Sequence, residues 1–213
     1  MSRTPQTLRR SLDAHCARLN ACRQCALSPG VQPIVSRARA PRGMLVGQAP
    51  GQTESAGGRP FAGRAGKTLF KWLARAGLDE ATARELFYIA AVTRCYPGPH
   101  RAGRGDRVPS PAERARCSGW LADELRIICP AVIIPVGRLA IETFLGAVPL
   151  AAVVGQEHEV QHAAGHAVVI PLPHPSGASS WIHVAEHKVL LQRALELIGK
   201  RVRTLDLPSR SVA

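Results

Sequence analysis

The chain has 213 residues, 46% of them hydrophobic, enough for one domain with a real core. Its 28 Lys and Arg against 15 Asp and Glu leave a net charge of +13, which favours a polyanionic partner because each neutralised phosphate releases condensed counterions. No apolar run approaches the roughly 20 residues of a membrane helix and the basic start carries no secretory signal, so a cytoplasmic protein without membrane contact is expected.

In chain order, Leu8, Leu12 and Leu19 have helical spacing and predict a first helix over 7–20. "CRQCALSPG" ends it. "GMLVG" (43–47) reads as a short buried strand that opens into "GQAPGQTESAGGRPFAGRAG" (47–66). With six glycines and two prolines, that stretch is expected to form neither helix nor strand. "KTLFKWLARAG" is an amphipathic helix with Leu69, Trp72 and Leu73 on one face and Gly77 at its C-terminal cap. "LFYIAAV" (86–92) is a second buried strand. The insertion "GPHRAGRGDR" (98–107) reads as a flexible basic loop. Ser110-Pro111-Ala112-Glu113 is a capping box that starts a helix running to about Ile128. A third strand, "AVIIPVG" (131–137), precedes a helix over 138–145. A fourth, "HAVVIPL" (166–172), ends at "PHPSG". A last helix covers about 183–198.

Strands alternate with helices, and most strands are continuous apolar runs. That pattern predicts an α/β protein: a three-layer α/β/α sandwich around a central four-stranded, mainly parallel sheet. Residues 1–200 are expected to form one domain and 201–213 a frayed, disordered basic tail. Ligands in such folds bind at the carboxyl ends of the strands, where both the glycine-rich stretch and "PHPSG" fall.

The glycine-rich stretch admits three readings. "GRAGKT" matches the end of a phosphate-binding loop, but that pattern needs glycine at position 61, where Phe61 would block the backbone cradle; no nucleotide cofactor is expected. A plain turn-rich loop is the second. In the third the loop wraps a planar ligand: small residues bring the backbone close, Phe61 stacks, Glu54 supplies a carboxylate, and His174 faces them from another strand end.

"GQAPG" (47–51), "GRPFAGRAG" (58–66) and His174-Pro175-Ser176 together resemble the uracil-DNA glycosylase superfamily, and most nearly its family 4, the iron–sulfur type. The resemblance spans about residues 15–195. It implies a monofunctional DNA glycosylase that excises uracil or related deaminated bases in base excision repair. It implies a 4Fe–4S cluster on Cys22, Cys25, Cys95 and Cys117, whose spacing matches the family pattern and whose thiolates suit such a cluster. Zinc is the alternative for four cysteines. Cys16 and Cys129 are left over, with Cys129 read as core.

The resemblance also assigns roles. Phe61 stacks on a flipped base, with Gly47, Ala49, Ala91 and Ser176 around it. His174 stabilises the leaving base, Glu54 orients the attacking water or steadies the sugar cation, and Gln48 can orient water. Arg64, Arg101, Arg104 and Arg107 are expected to contact DNA, with the protein acting as a monomer on DNA containing deaminated bases. Two positions depart from the family pattern. Gln48 replaces a glutamate, and Ala91 replaces an asparagine that would read the uracil edge. They keep open a second reading: a catalytically weak iron–sulfur DNA-binding protein on the same scaffold.

Overall fold

The computed structural model describes residues 4–25, 27, 30–101, 105–162, 164–176 and 180–205. Helix α1 (Pro5–Asn20) starts at Thr4, whose side chain accepts from the Thr7 amide. Strand β1 (Gly43–Gly47) leads into the short helix α2 (Gln52–Gly57), then α3 (Arg64–Arg75), α4 (Glu80–Leu86) and β2 (Phe87–Ala91). Helix α5 (Pro111–Ile128) begins with the expected capping box: the Ser110 hydroxyl accepts from the Glu113 amide, and the Glu113 carboxylate accepts from the Ser110 amide at 2.7 Å. Then follow β3 (Val132–Pro135), α6 (Arg138–Leu145), α7 (Leu150–Val153), β4 (His158–His162), β5 (Gly165–Val169) and α8 (Ala185–Thr204).

The sheet has five strands in the order β2-β1-β3-β5-β4, one more than expected. All neighbours are parallel except β4 against β5, a hairpin at the edge. Strand β4, "HEVQH", escapes a search for apolar runs because it lies at the sheet's rim and is only half-covered. Side chains alternate across the sheet. Leu45, Ile89 and Ile134 point to one face, where α3 and α8 contribute Leu69, Leu73, Leu195 and Ile198. Met44, Val46, Tyr88 and Ile133 point to the other, covered by Leu12 of α1, Leu121 of α5 and Ala140 of α6. That is the three-layer sandwich.

Several expectations need adjustment. The glycine-rich stretch does contain helix: α2 lies inside it, and α3 begins before it ends. Helix α8 continues to Thr204 with Val202 buried, beyond the boundary placed at 200; the rest of the tail lies outside the described residues. The 98–107 insertion is closed as a hairpin at its base, by His100 N–H to Gly105 O at 2.9 Å and Arg107 N–H to Gly98 O at 3.0 Å. Cys129 is exposed, in a left-handed conformation at the C-terminal cap of α5, and is not core.

Two polar features tie the layers together. Glu124 of α5, fully buried, accepts from His15 of α1 at 3.1 Å and pairs with Arg94 just after β2. Along the outer side of β2, the Ile89 amide donates to Ser36 Oγ, and Ile34 N–H donates to Arg94 O. The segment before β1 therefore lies along that edge. No helix of the described residues is long and apolar enough to cross a membrane.

Candidate active site

A cavity of about 130 Å³ opens at the carboxyl ends of β1 and β2. Gly47, Gln48 and Ala49 line it from the end of β1, Ala91 from β2, Glu54 from α2 and Phe61 from the loop before α3. His174 enters from beyond β5 and Asp106 from the 98–107 hairpin. Seven of the residues expected here are thus brought together from separate parts of the chain. Asp106 was not foreseen, because in sequence it is one acid among arginines.

Phe61 is held in an unusual backbone state, with φ at +51°, which costs a non-glycine residue about 1–3 kcal/mol. Three neighbours fix it there. Arg84 of α4 donates to the carbonyls of Pro60 (2.9 Å) and Phe61 (3.2 Å). A Cβ on Gly66 would stand 1.9 Å from the Phe61 oxygen, so only glycine lets α3 start against this loop. A Cβ on Gly47 would stand 2.9 Å from the Phe61 ring, so the ring lies directly on the strand end. Arg84 is a supporting residue that sequence reading missed; its partners lie more than twenty positions away.

His174 has a defined tautomer. Its Nδ1 accepts from the Ser176 backbone N–H at 3.2 Å and from the Ser176 hydroxyl at 2.9 Å. The neutral ring therefore carries its proton on Nε2. Burial lowers the imidazole pKa, which favours this neutral form. The ring packs against the N-terminal cap of α6, where a Cβ on Gly137 would come within 3.0 Å of it. Ser176, expected beside the base, instead sits on the back of His174.

Glu54 is buried with both carboxylate oxygens engaged. One accepts from Gly63 N–H at 2.8 Å and the other from Gly51 N–H at 3.1 Å. It clasps the two ends of the glycine-rich loop, a role its acidity alone did not foretell.

The four cysteines of the family pattern meet elsewhere. Cys22, Cys25, Cys95 and Cys117 all line a second cavity, of about 240 Å³, between the end of α1, the strand β2 exit and α5. Burial and the neighbouring Cys117, Cys25 and Cys22 push the Cys95 thiol up to about 12. Among the described residues, no three His, Cys, Asp or Glu stand close enough to clasp one ion. The four thiols nevertheless face one cavity, and thiol is the ligand type that an iron–sulfur cluster or a zinc ion takes. Cys16 lies apart, with its sulfur 3.7 Å from the Tyr88 hydroxyl.

Of the arginines expected to meet DNA, Arg64 is exposed in the first turn of α3 and Arg101 is exposed in the hairpin. Arg104 lies outside the described residues. Arg107 grips Glu113 with both arms of its fork, at 2.6 and 2.7 Å. That contact holds the Glu113 carboxyl down at about 2 and anchors the hairpin to α5.

The mainly parallel α/β sandwich thus brings an aromatic ring and a neutral histidine to one pocket at its strand ends. Comparison with known proteins gives that arrangement its family. The profile of the Uracil DNA glycosylase superfamily matches residues 35–196. A type-4 uracil-DNA glycosylase of Archaeoglobus fulgidus is 32% identical over 204 residues, covering 92% of this chain and 97% of that protein. Type-4 uracil-DNA glycosylases of Thermotoga maritima (34% over 133 residues; 62% and 64% of the two chains) and Sulfurisphaera tokodaii (28% over 170; 77% and 70%) are also similar. The chain belongs to the uracil-DNA glycosylase superfamily.

Proposed function

We propose that this protein is a monofunctional DNA glycosylase, which removes uracil and related deaminated bases from DNA by hydrolysing the N-glycosidic bond. The observation that carries this reading is the pairing, across one pocket, of the Phe61 ring with a neutral His174 whose proton is held on Nε2.

The base must leave the helix stack before the bond is accessible. Phe61 stacks on the flipped ring, and the backbone of Gly47, Gln48 and Ala49 flanks its polar edge. As the bond stretches, the sugar becomes cationic and the base anionic. His174 Nε2–H donates to the base oxygen that gathers charge; one such preorganised donor is worth about 2.7–4 kcal/mol. Being neutral, it donates without transferring its proton. Ala91 offers no side-chain hydrogen bond to the base, so recognition rests on shape, stacking and backbone contacts. A uracil site that lacks a side-chain reader admits other deaminated bases. The intact His174 geometry favours a working enzyme over a binding protein that merely keeps the scaffold.

We infer further that Cys22, Cys25, Cys95 and Cys117 hold a 4Fe–4S cluster. The four thiols around one cavity, together with the family pattern, support it. The cluster's contribution is a cross-link that pins α1, the β2 exit and α5 together. DNA is the partner; we place the enzyme in the cytoplasm as a monomer.

The test is incubation with an oligonucleotide carrying one uracil, followed by alkali to cut abasic sites. Strand scission with the parent protein, and its loss in His174→Ala, is the expected result. A parent that releases no base from any deaminated substrate would leave the binding-protein reading standing.

A further inference from the structure

Hydrolysis needs a group that orients water and takes its proton while the sugar carries positive charge. Three acidic or amide side chains line the pocket. Gln48 is uncharged and cannot accept a proton near neutral pH. Glu54 has both carboxylate oxygens engaged: each already accepts a backbone N–H in clasping Gly51 and Gly63. Asp106 is the remaining one. Its Oδ2 lies 2.9 Å from the point where a Gly51 Cβ would stand, and Glu54 Oε2 lies 2.8 Å from the same point. The Asp106 carboxylate therefore sits directly over Gly51, at the floor of the pocket and beside Glu54.

Its position is set rather than loose. The hairpin that carries it is bonded across its base by the Gly98–Arg107 and His100–Gly105 pairs and anchored to α5 by Arg107 on Glu113. The Tyr96 hydroxyl donates to it. Asp106 is exposed, so water reaches it at the pocket mouth.

We propose that Asp106 is the catalytic carboxylate of this enzyme, supplied by the arginine-rich hairpin rather than by the glycine-rich loop; this rests on the glycosylase reading above. A water held by Asp106 adds its oxygen to C1′ of the sugar as the bond from C1′ to the base nitrogen breaks. The bond's electron pair leaves with the base. The water's proton passes to the Asp106 carboxylate and then to solvent, and the base takes a proton from solvent. One water is consumed, and an abasic sugar and a free base are formed.

The experiment compares the parent with Asp106→Asn, measuring single-turnover uracil release at saturating enzyme and equilibrium affinity for the same DNA. The expected result is a rate lower by about 10²-fold or more, within the range for a lost general base. Affinity should be unchanged or tighter, because a negative charge facing DNA has been removed. Release within threefold of an active parent overturns the inference alone, leaving the glycosylase reading intact. Affinity lost in step with rate makes Asp106 a structural residue and also overturns it. A parent inert on uracil-containing DNA overturns the glycosylase reading, and this inference with it.

Discussion

The backbone oxygen of Phe61 occupies space that any side chain on Gly66 would need, 1.9 Å from an ideal Cβ. Gly66→Ala must therefore move either the first turn of α3 or the loop that aims the Phe61 ring. Overpacking of this kind costs about 1–3 kcal/mol. The melting temperature should fall, and uracil release should fall with it because the ring no longer meets the base. Melting curves and alkali-cleavage assays on one preparation check both.

Phe61 and His174 should separate kinetically. Phe61→Ala removes base stacking worth about 1–3 kcal/mol and should weaken capture of uracil-containing DNA. His174→Ala removes stabilisation of the leaving base. It should slow single-turnover release by about 10²–10³-fold, with DNA binding nearly intact. Equal release by His174→Ala and the parent would remove His174 from the mechanism.

The pH dependence follows from the burial of His174. Its folded pKa lies below the ordinary value of 6.5, so the neutral donor persists to more acid pH than a solvated imidazole would allow. The single-turnover rate should hold level as pH falls from 8 through 6.5 and decline only below. Stability has the matching sign. The His174 contribution is complete above the unfolded-state pKa and is lost as pH drops through that value towards the folded one. A rate that halves near 6.5 would mean that the ring is solvated in the working enzyme.

Glu124 is 0% exposed and joins α1, α5 and the chain leading into Cys95. Glu124→Ala strands the Arg94 guanidinium in the interior, and breaking a buried pair in this way costs about 3–5 kcal/mol. Urea unfolding should register that loss. A variant of wild-type stability would show that Arg94 finds water or another acceptor.

Protein purified without oxygen should be brown, with the broad visible absorbance of an iron–sulfur centre. Cys95→Ala should bleach it and lower its melting temperature, since cluster binding is also folding energy. Iron and sulfide assays distinguish this from a colourless protein with stoichiometric zinc, the outcome that would defeat the cluster assignment.

What could be read from the sequence depended on how local each signal was. The strands β1, β2, β3 and β5 showed as apolar runs, and the Ser110 box marked the start of α5 to the residue, because both are written in adjacent positions. Strand β4 was missed because an edge strand with His158, Glu159, Gln161 and His162 has no continuous apolar run. Helix α2 was missed because glycine content argued against it, whereas Glu54 closes it through a bond to the Gly51 amide. The pocket residues of the long motif were legible as a set. Asp106 was not, because its place depends on a hairpin that folds back onto Gly51. Arg84 was hidden for the same reason: what it holds is a backbone, and carbonyls have no letter of their own.

The segment along β2 bears on how the molecule behaves in company. An uncovered strand of Phe87, Tyr88 and Ile89 would be a template on which a second chain could crystallise its own backbone. Ser36 removes that invitation by taking up the Ile89 amide from within the same chain. At the opposite margin, the exposed Glu159 and Gln161 of β4 discourage the same contact by charge and hydration. The enzyme can therefore crowd along a polyanion at high local concentration without its sheets fusing, one rim sealed from inside and the other kept wet.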